Sequence, residues 1–356
     1  MSKFPTADQL PSVKELPDPF RLNDGRRVRT GEDWPRRRAE LTAAILYYAY
    51  GRLPGPPGNV VGKETASTVD GACGAIHKKI ALTMGPGDAI RLNLEAVIPA
   101  GKGPFPVIIT GDLCWHRITA DLLRRVVSRG YILVQFDRTE IVPDCDDGRA
   151  AAAYRLYPDC DWGALAAWAW GYHRVVDYLV GTDFADRARI GITGHSRGGK
   201  AALLAGALDE RIGLVAPNNS GCGGAGCYRH QAAGSEDLGA ITTNFPYWWG
   251  PRLKEFVGRV DRLPFDQDSL KALVAPRALL TTEALGDLWA NPEGTQVTHL
   301  AARRVFEFLG AADKIGIYFR PGSHEQNIGD WEVLLDFADR QMLGKPVARR
   351  FDKLGF

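Results

Sequence analysis

The residues with the most chemical content lie at 194–200, Gly-His-Ser-Arg-Gly-Gly-Lys. A β-forming run, 188–193 (ARIGIT), ends directly before them, and small helix-forming residues follow at 200–208. Gly194, Ser196 and Gly198 therefore spell G-x-S-x-G between a strand and a helix. That is the setting of a strained turn that lifts a serine Oγ clear of a sheet. The flanking glycines leave strand and helix room to meet. The helix N-terminus would offer the backbone N–H of Arg197 to charge developing on an attacked carbonyl, and the loop 111–115, after the strand candidate 107–110, is expected to supply a second donor. The implied chemistry is attack by Ser196 on an acyl carbon, with a covalent intermediate. Residues 194–200 also spell G-x-x-x-x-G-K, a phosphate-cradling loop. Ala201 stands where that loop needs Ser or Thr to hold Mg²⁺, which argues against nucleotide binding.

A serine nucleophile needs a base, and the base needs a carboxylate to orient it. On this kind of turn the chain order is serine, acid, histidine. His230, His299 and His324 follow Ser196. His230 comes too early, and His299 lies inside a helical run, which suggests a structural residue. His324 sits in a turn, 320–326, just past the last strand candidate, where a loop-borne base belongs. For the acid, Asp287 follows Gly286 in a loop past the strand candidate 278–282. It is the favoured candidate, with Glu283 and Glu293 as alternatives.

Composition narrows the class. Among 356 residues, 44 Lys and Arg nearly balance 42 Asp and Glu, for a net charge of +2. That balance excludes a dedicated nucleic-acid or acidic-membrane binder. No apolar run reaches the length of a membrane span. Nine Trp, eleven Tyr and fourteen Phe require a folded core. Six cysteines are too few for a disulfide scaffold, so reduced thiols are expected, with Cys145/Cys160 and Cys222/Cys227 as the pairs to consider. No CxxC or HExxH occurs and the histidines do not cluster, so neither metal nor cofactor is expected. Residues 1–20 lack the apolar stretch of a secretory leader. The expectation is a cytoplasmic protein, or a secreted one whose leader has been removed.

The elements that must position these residues follow from periodicity. Residues 33–50 read as a helix, ended by LPGPPG at 53–58. Residues 78–99 alternate, as antiparallel strands do. Short apolar runs then recur at 107–110, 131–136, 188–193, 213–216, 278–282 and 315–319. Helical stretches at 120–129, 162–179, 200–208 and 299–309 separate them. This pattern predicts an α/β-hydrolase fold: a mostly parallel central sheet with helices on both faces, in three layers. Residues 1–60 are expected to wrap the surface of a catalytic domain spanning 61–356, with no linker dividing the chain. Active sites in such sheets lie at the carboxyl ends of strands.

Several segments together resemble the glucuronoyl esterases, carbohydrate esterase family 15. They are Leu16-Pro-Asp-Pro-Phe20 with Asp24-Gly25, the run 161–171 (DWGALAAWAWG) with Arg174 and Asp177-Tyr178, and Ser196-Arg197-x-Gly199-Lys200. The runs 207–211 (ALDER) and 220–229 (SGCGGAGCYR) continue the likeness, which covers most of the chain. The resemblance implies hydrolysis of the ester between a glucuronic acid on xylan and an aromatic alcohol of lignin, without metal or cofactor. It implies Ser196 as nucleophile and His324 as base. Arg197 would assist the oxyanion through its backbone, with its side chain a second candidate donor. Lys200, one helical turn past Ser196 and so on its face of the helix, would bind sugar hydroxyls. Glu236 would contact the sugar and Trp289 would pack on it. Many members carry the acid at the position of Asn219, so here the acid must lie elsewhere. Fungal members have cysteines at the positions of His195 and Glu325, so their disulfide is excluded. Two other functions remain open: a broad-specificity or acetyl esterase, and a degenerate relative that only binds carbohydrate.

Overall fold

The computed structural model describes residues 4–115 and 118–356. Nine strands form one sheet: β1 (Val61–Val69), β2 (Ile76–Met84), β3 (Ile90–Ile98), β4 (Phe105–Thr110), β5 (Ile132–Phe136), β6 (Ala185–His195), β7 (Leu214–Asn218), β8 (Ala278–Ala284) and β9 (Ile315–Arg320). Their spatial order is β1-β2-β3-β5-β4-β6-β7-β8-β9. From β1 to β5 neighbours run antiparallel; from β5 through β9 they run parallel. The helices are α1 (Trp34–Ile45), α2 (Ala120–Ser128), α3 (Ala152–Leu156), α4 (Ala164–Leu179), α5 (Arg197–Leu208), α6 (Leu238–Asn244), α7 (Gln267–Ala272), α8 (Pro292–Phe308) and α9 (Ile328–Leu343).

Strand side chains alternate between faces, and the apolar runs of β4–β8 are buried on both. Val107, Ile109, Ile132, Val134, Val215 and Leu279 pack into one core with residues of α1, α4, α5, α7 and α8. Ile108, Leu133, Leu214 and Leu280 face the other way, into a second core with Leu122 and Val126 of α2 and Trp331 and Leu335 of α9. The result is the three-layer α/β-hydrolase fold that the periodicity predicts.

Differences from the sequence reading have local causes. The pattern carries no sign of β1, because its residues are mostly exposed at the sheet edge; pairing with β2 alone holds it. The helix expected at 33–50 is α1 followed by a wider π-helical turn, 46–50. Helix α8 starts at Pro292 rather than 299. Asn291 caps it by accepting from the Gly294 N–H at 2.9 Å, and Pro292 opens it without an N–H to satisfy. Residues 4–33 lie along the surface and are tied to it, for instance by the Val13 N–H to the Asp261 carbonyl at 2.7 Å. Among the described residues no helix is long and apolar enough to cross a membrane, and all six cysteines are free thiols.

Helix α5 must approach the sheet closely for Ser196 to sit at its N-terminus. A Cβ on Gly206 would lie 2.2 Å from Cγ2 of Val215 on β7. Valine is stiff at χ1 and has nowhere to swing. Gly206→Ala is therefore expected to destabilise the fold by about 1–3 kcal/mol in urea unfolding. In a double-mutant cycle Val215→Ala should recover part of that loss; strict additivity would show that this contact is not the constraint.

Candidate active site

Ser196 follows β6 and caps α5, with φ 55° and ψ −124°. Such a conformation is strained for a non-glycine residue and persists only where its surroundings enforce it. They do so here. The Ser196 N–H donates to the Asn218 carbonyl at 3.0 Å, and its carbonyl accepts from the Lys200 N–H at 3.0 Å. A Cβ on Gly194 would lie 2.5 Å from the Gly198 carbonyl carbon, and one on Gly198 would lie 1.9 Å from Oδ1 of Asp112. Only glycine fits at either position.

The Ser196 hydroxyl donates to Nε2 of His324 at 2.9 Å, and Nδ1–H of His324 donates to Oδ2 of Asp287 at 2.5 Å. Asp287 lies past β8 and His324 past β9. The two loops are tied together by the Leu285 N–H to the Arg320 carbonyl (2.8 Å) and the Gly286 N–H to the Gly322 carbonyl (3.0 Å). The His324 loop is shaped by Arg320, whose guanidinium donates to Asp330 at 2.9 Å and to the carbonyls of Pro321 and Glu325. Arg320 and Asp330 are both buried.

Of the three carboxylates considered for the acid, Asp287 is the one within reach of His324. Burial opposes its ionisation, but hydrogen bonds from His324 and Asn219 outweigh burial and hold its carboxyl below the usual carboxylate range. Asn219 donates from Nδ2 to the same Oδ2 at 2.7 Å. The asparagine that cannot act as the acid thus orients it. Glu283 is fully buried, and burial, with the neighbouring charge of Asp287, pushes it up to about 8. Its charged form is disfavoured, and its hydrogen bond goes to Thr295 rather than to His324. Glu293 accepts from His230 at 2.8 Å, away from His324.

His195 belongs to the site although the sequence singled it out only as a missing cysteine. It is buried, its ring centroid 4.5 Å from that of His324 and 5.3 Å from that of Trp115. Nδ1–H donates to Oδ1 of Asn218 at 2.5 Å, while Nδ2 of Asn218 donates to Thr282 at 2.8 Å. Burial, and the adjacent His324, push its pKa down to about 4, so the ring is neutral. The available sequence signal was two polar residues, 195 and 218, at the carboxyl ends of strand runs that turn out to be neighbours.

A cavity of about 750 Å³ opens at these strand ends, lined by Ser196, His324, Arg197, Trp115, Arg138 and Asp144 among others. Arg197 lines it, and its guanidinium donates to Asp144, another lining residue, at 2.7 Å. Of the expected second oxyanion loop, 111–115, three N–H groups are already engaged. Gly111 donates to the Tyr172 hydroxyl, Leu113 to the Phe136 carbonyl and Trp115 to the Asp112 carbonyl. The expectation of a donor from these three is therefore corrected. Lys200 is buried rather than solvated. Its Nζ donates to the Ser220 carbonyl at 2.6 Å and lies 4.0 Å from Glu236, itself buried. The Glu236 N–H donates to the carbonyl of Trp289, whose side chain is 50% exposed. These three residues form a group of their own, outside the lining of the cavity. Among the described residues no set of His, Cys, Asp and Glu could hold a metal ion.

His299, buried in α8 with Nδ1 unpartnered, is likewise pushed down, by burial first, to about 3. A histidine held neutral in the native state takes up its proton only after unfolding. Its contribution is lost as pH falls from the ordinary value near 6.5 toward its folded pKa. His299→Leu is therefore expected to make stability at pH 4.5, relative to pH 7, more favourable than in the wild type by roughly 2 kcal/mol. Urea unfolding at the two pH values checks this; an identical pH difference in both proteins would refute it.

Comparison with known proteins places the arrangement in context. The family described as "Glucuronyl esterase, fungi" matches residues 72–310. A 4-O-methyl-glucuronoyl methylesterase of Schizophyllum commune is 30% identical, over 95% of this chain and 85% of that protein. The solved carbohydrate esterase family 15 glucuronoyl esterase of Caldicellulosiruptor kristjansonii superposes with a TM-score of 0.83 at 34% identity, covering 98% of this chain and 96% of that one. A variant of the glucuronoyl esterase of Sporotrichum thermophile, solved with methyl 4-O-methyl-β-D-glucopyranuronate, superposes with a TM-score of 0.77 at 28% identity, over 95% and 90%.

Proposed function

This chain belongs to the glucuronyl esterase family, carbohydrate esterase family 15, and we propose that it hydrolyses esters of glucuronic acid through an acyl-enzyme on Ser196. It is a carboxylic ester hydrolase of the α/β-hydrolase fold. The observation that carries the mechanism is the relay from Ser196 through His324 to Asp287, 2.9 and 2.5 Å long, assembled from three strand ends.

In this reading Nε2 of His324 takes the hydroxyl proton as Oγ attacks the ester carbonyl. The ionised Asp287 stabilises the resulting imidazolium and keeps Nδ1 protonated. The Arg197 backbone N–H at the start of α5, and its guanidinium in the cavity wall, face the oxyanion. The imidazolium gives its proton to the departing alcohol. Water, activated by the same ring, then attacks the acyl-enzyme and frees the acid. Lys200, Glu236 and Trp289 are assigned to the sugar of the acid part. A Lys–Glu pair out of water suits uncharged hydroxyls, which can donate to the carboxylate and accept from the ammonium.

The test is a panel of methyl and benzyl glucuronates beside acetyl esters. Wild type should prefer the glucuronates, and a fluorophosphonate should label Ser196. Ser196→Ala should lower turnover at least about 10³-fold with the fold retained. Asp287→Asn should cost about 10²–10⁴-fold, whereas Glu293→Gln should change the rate little. Equal rates on acetyl and glucuronoyl esters would favour a broad esterase. Absence of labelling would favour a carbohydrate-binding relative.

A further inference from the structure

We propose that Asp144 is a positioning residue that, with Phe245, Tyr247 and Trp248, clamps the Arg197 guanidinium in the cavity wall where the oxyanion forms. The proposal rests on the reading that Ser196 attacks an ester carbonyl in this cavity.

Three separate segments build the clamp. Asp144 comes from the connection between β5 and α3, Arg197 opens α5, and the aromatic residues follow α6. Both oxygens of Asp144 are used. Oδ2 accepts from Nη1 of Arg197 at 2.7 Å; Oδ1 accepts from the Tyr247 hydroxyl and from Nε1 of Trp248, each at 2.9 Å. The neutral donors leave the carboxylate little freedom, so it acts as a rigid acceptor for the guanidinium. Phe245 and Trp248 are stacked, centroids 3.9 Å apart and planes 5° from parallel. The guanidinium carbon lies 5.2 Å from the first ring and 4.9 Å from the second, within cation–π range.

An arginine on a surface samples many rotamers, and ordering it costs free energy. Here that ordering is done in advance. One N–H is spent on Asp144, the rings pack against the group, and the side chain stays partly exposed on a residue that lines the cavity with Ser196 and His324. A donor fixed before reaction needs no reorganisation as charge develops, which is the condition for strong electrostatic stabilisation. Asp144 is held by Arg197, Tyr247 and Trp248, and in this proposal its influence passes through Arg197.

Asp144→Asn keeps the shape and an acceptor for Tyr247 and Trp248, but can place an NH₂ group opposite the guanidinium. It is expected to lower kcat on methyl glucuronate about 10–100-fold, with KM changed less than about threefold and an unchanged urea midpoint. Tyr247→Phe, which removes one strut, should lower kcat less. Arg197→Ala is expected to be slow, and Arg197→Ala/Asp144→Asn no slower than Arg197→Ala alone, because the two act as one unit. Multiplicative losses in the double variant, or full kcat in Asp144→Asn while Arg197→Ala is slow, would overturn the clamp. Full activity in Ser196→Ala would instead overturn the esterase reading on which it rests.

Discussion

The hydrogen bond from Ser196 Oγ to His324 Nε2 joins residues 128 positions apart, and most of the local architecture serves to keep it. Neither partner belongs to a regular element. Ser196 occupies a strained turn enforced by glycines that admit no side chain, and His324 rides on a loop shaped by a buried arginine. A contact between two loops survives thermal motion only where the rigid elements beneath them are packed to interior density. Those elements are the parallel strands β6, β8 and β9, whose apolar side chains fill both cores.

The electrostatics of the site follow from how each group is solvated and paired. Two buried carboxyls lie near each other in sequence yet have opposite character. Asp287 receives hydrogen bonds from Asn219 and His324, which favour its ionised form; Glu283, deeper and beside that charge, is pushed toward its neutral form. Two histidine rings likewise pack together with different duties. His195 is pinned to Asn218 and kept neutral, so its ring adds no positive charge beside that of His324.

The cavity wall shows the same division between charge and support. Arg197 brings a permanent cation to the serine, while Asp144 and a stacked aromatic pair define its direction. The Lys200–Glu236 pair is a second charged group drawn out of water nearby. Isolated, either charge would be costly to bury; paired, they form a polar surface of fixed geometry.

Much of this was legible in the residues themselves. The elbow reads locally, because a strand, a turn and a helix in immediate succession carry their own spacing and glycine demands. The parallel core reads from doubly buried apolar runs, and the His324 loop from its place past the last of them. Edge strand β1 left no pattern, since pairing rather than burial holds it. Which of Glu283, Asp287 and Glu293 meets His324 depended on the side-by-side closure of two loops, a non-local event. The roles of His195 and Asn219, and the joining of Asp144 to Arg197, were likewise invisible, because neighbours across parallel strands are far apart in the chain. Local stereochemistry and hydrophobic period were thus determined by sequence alone. Partner identity and ionisation state were decided by the tertiary structure, because both depend on distance and dielectric, which exist only once the chain has folded.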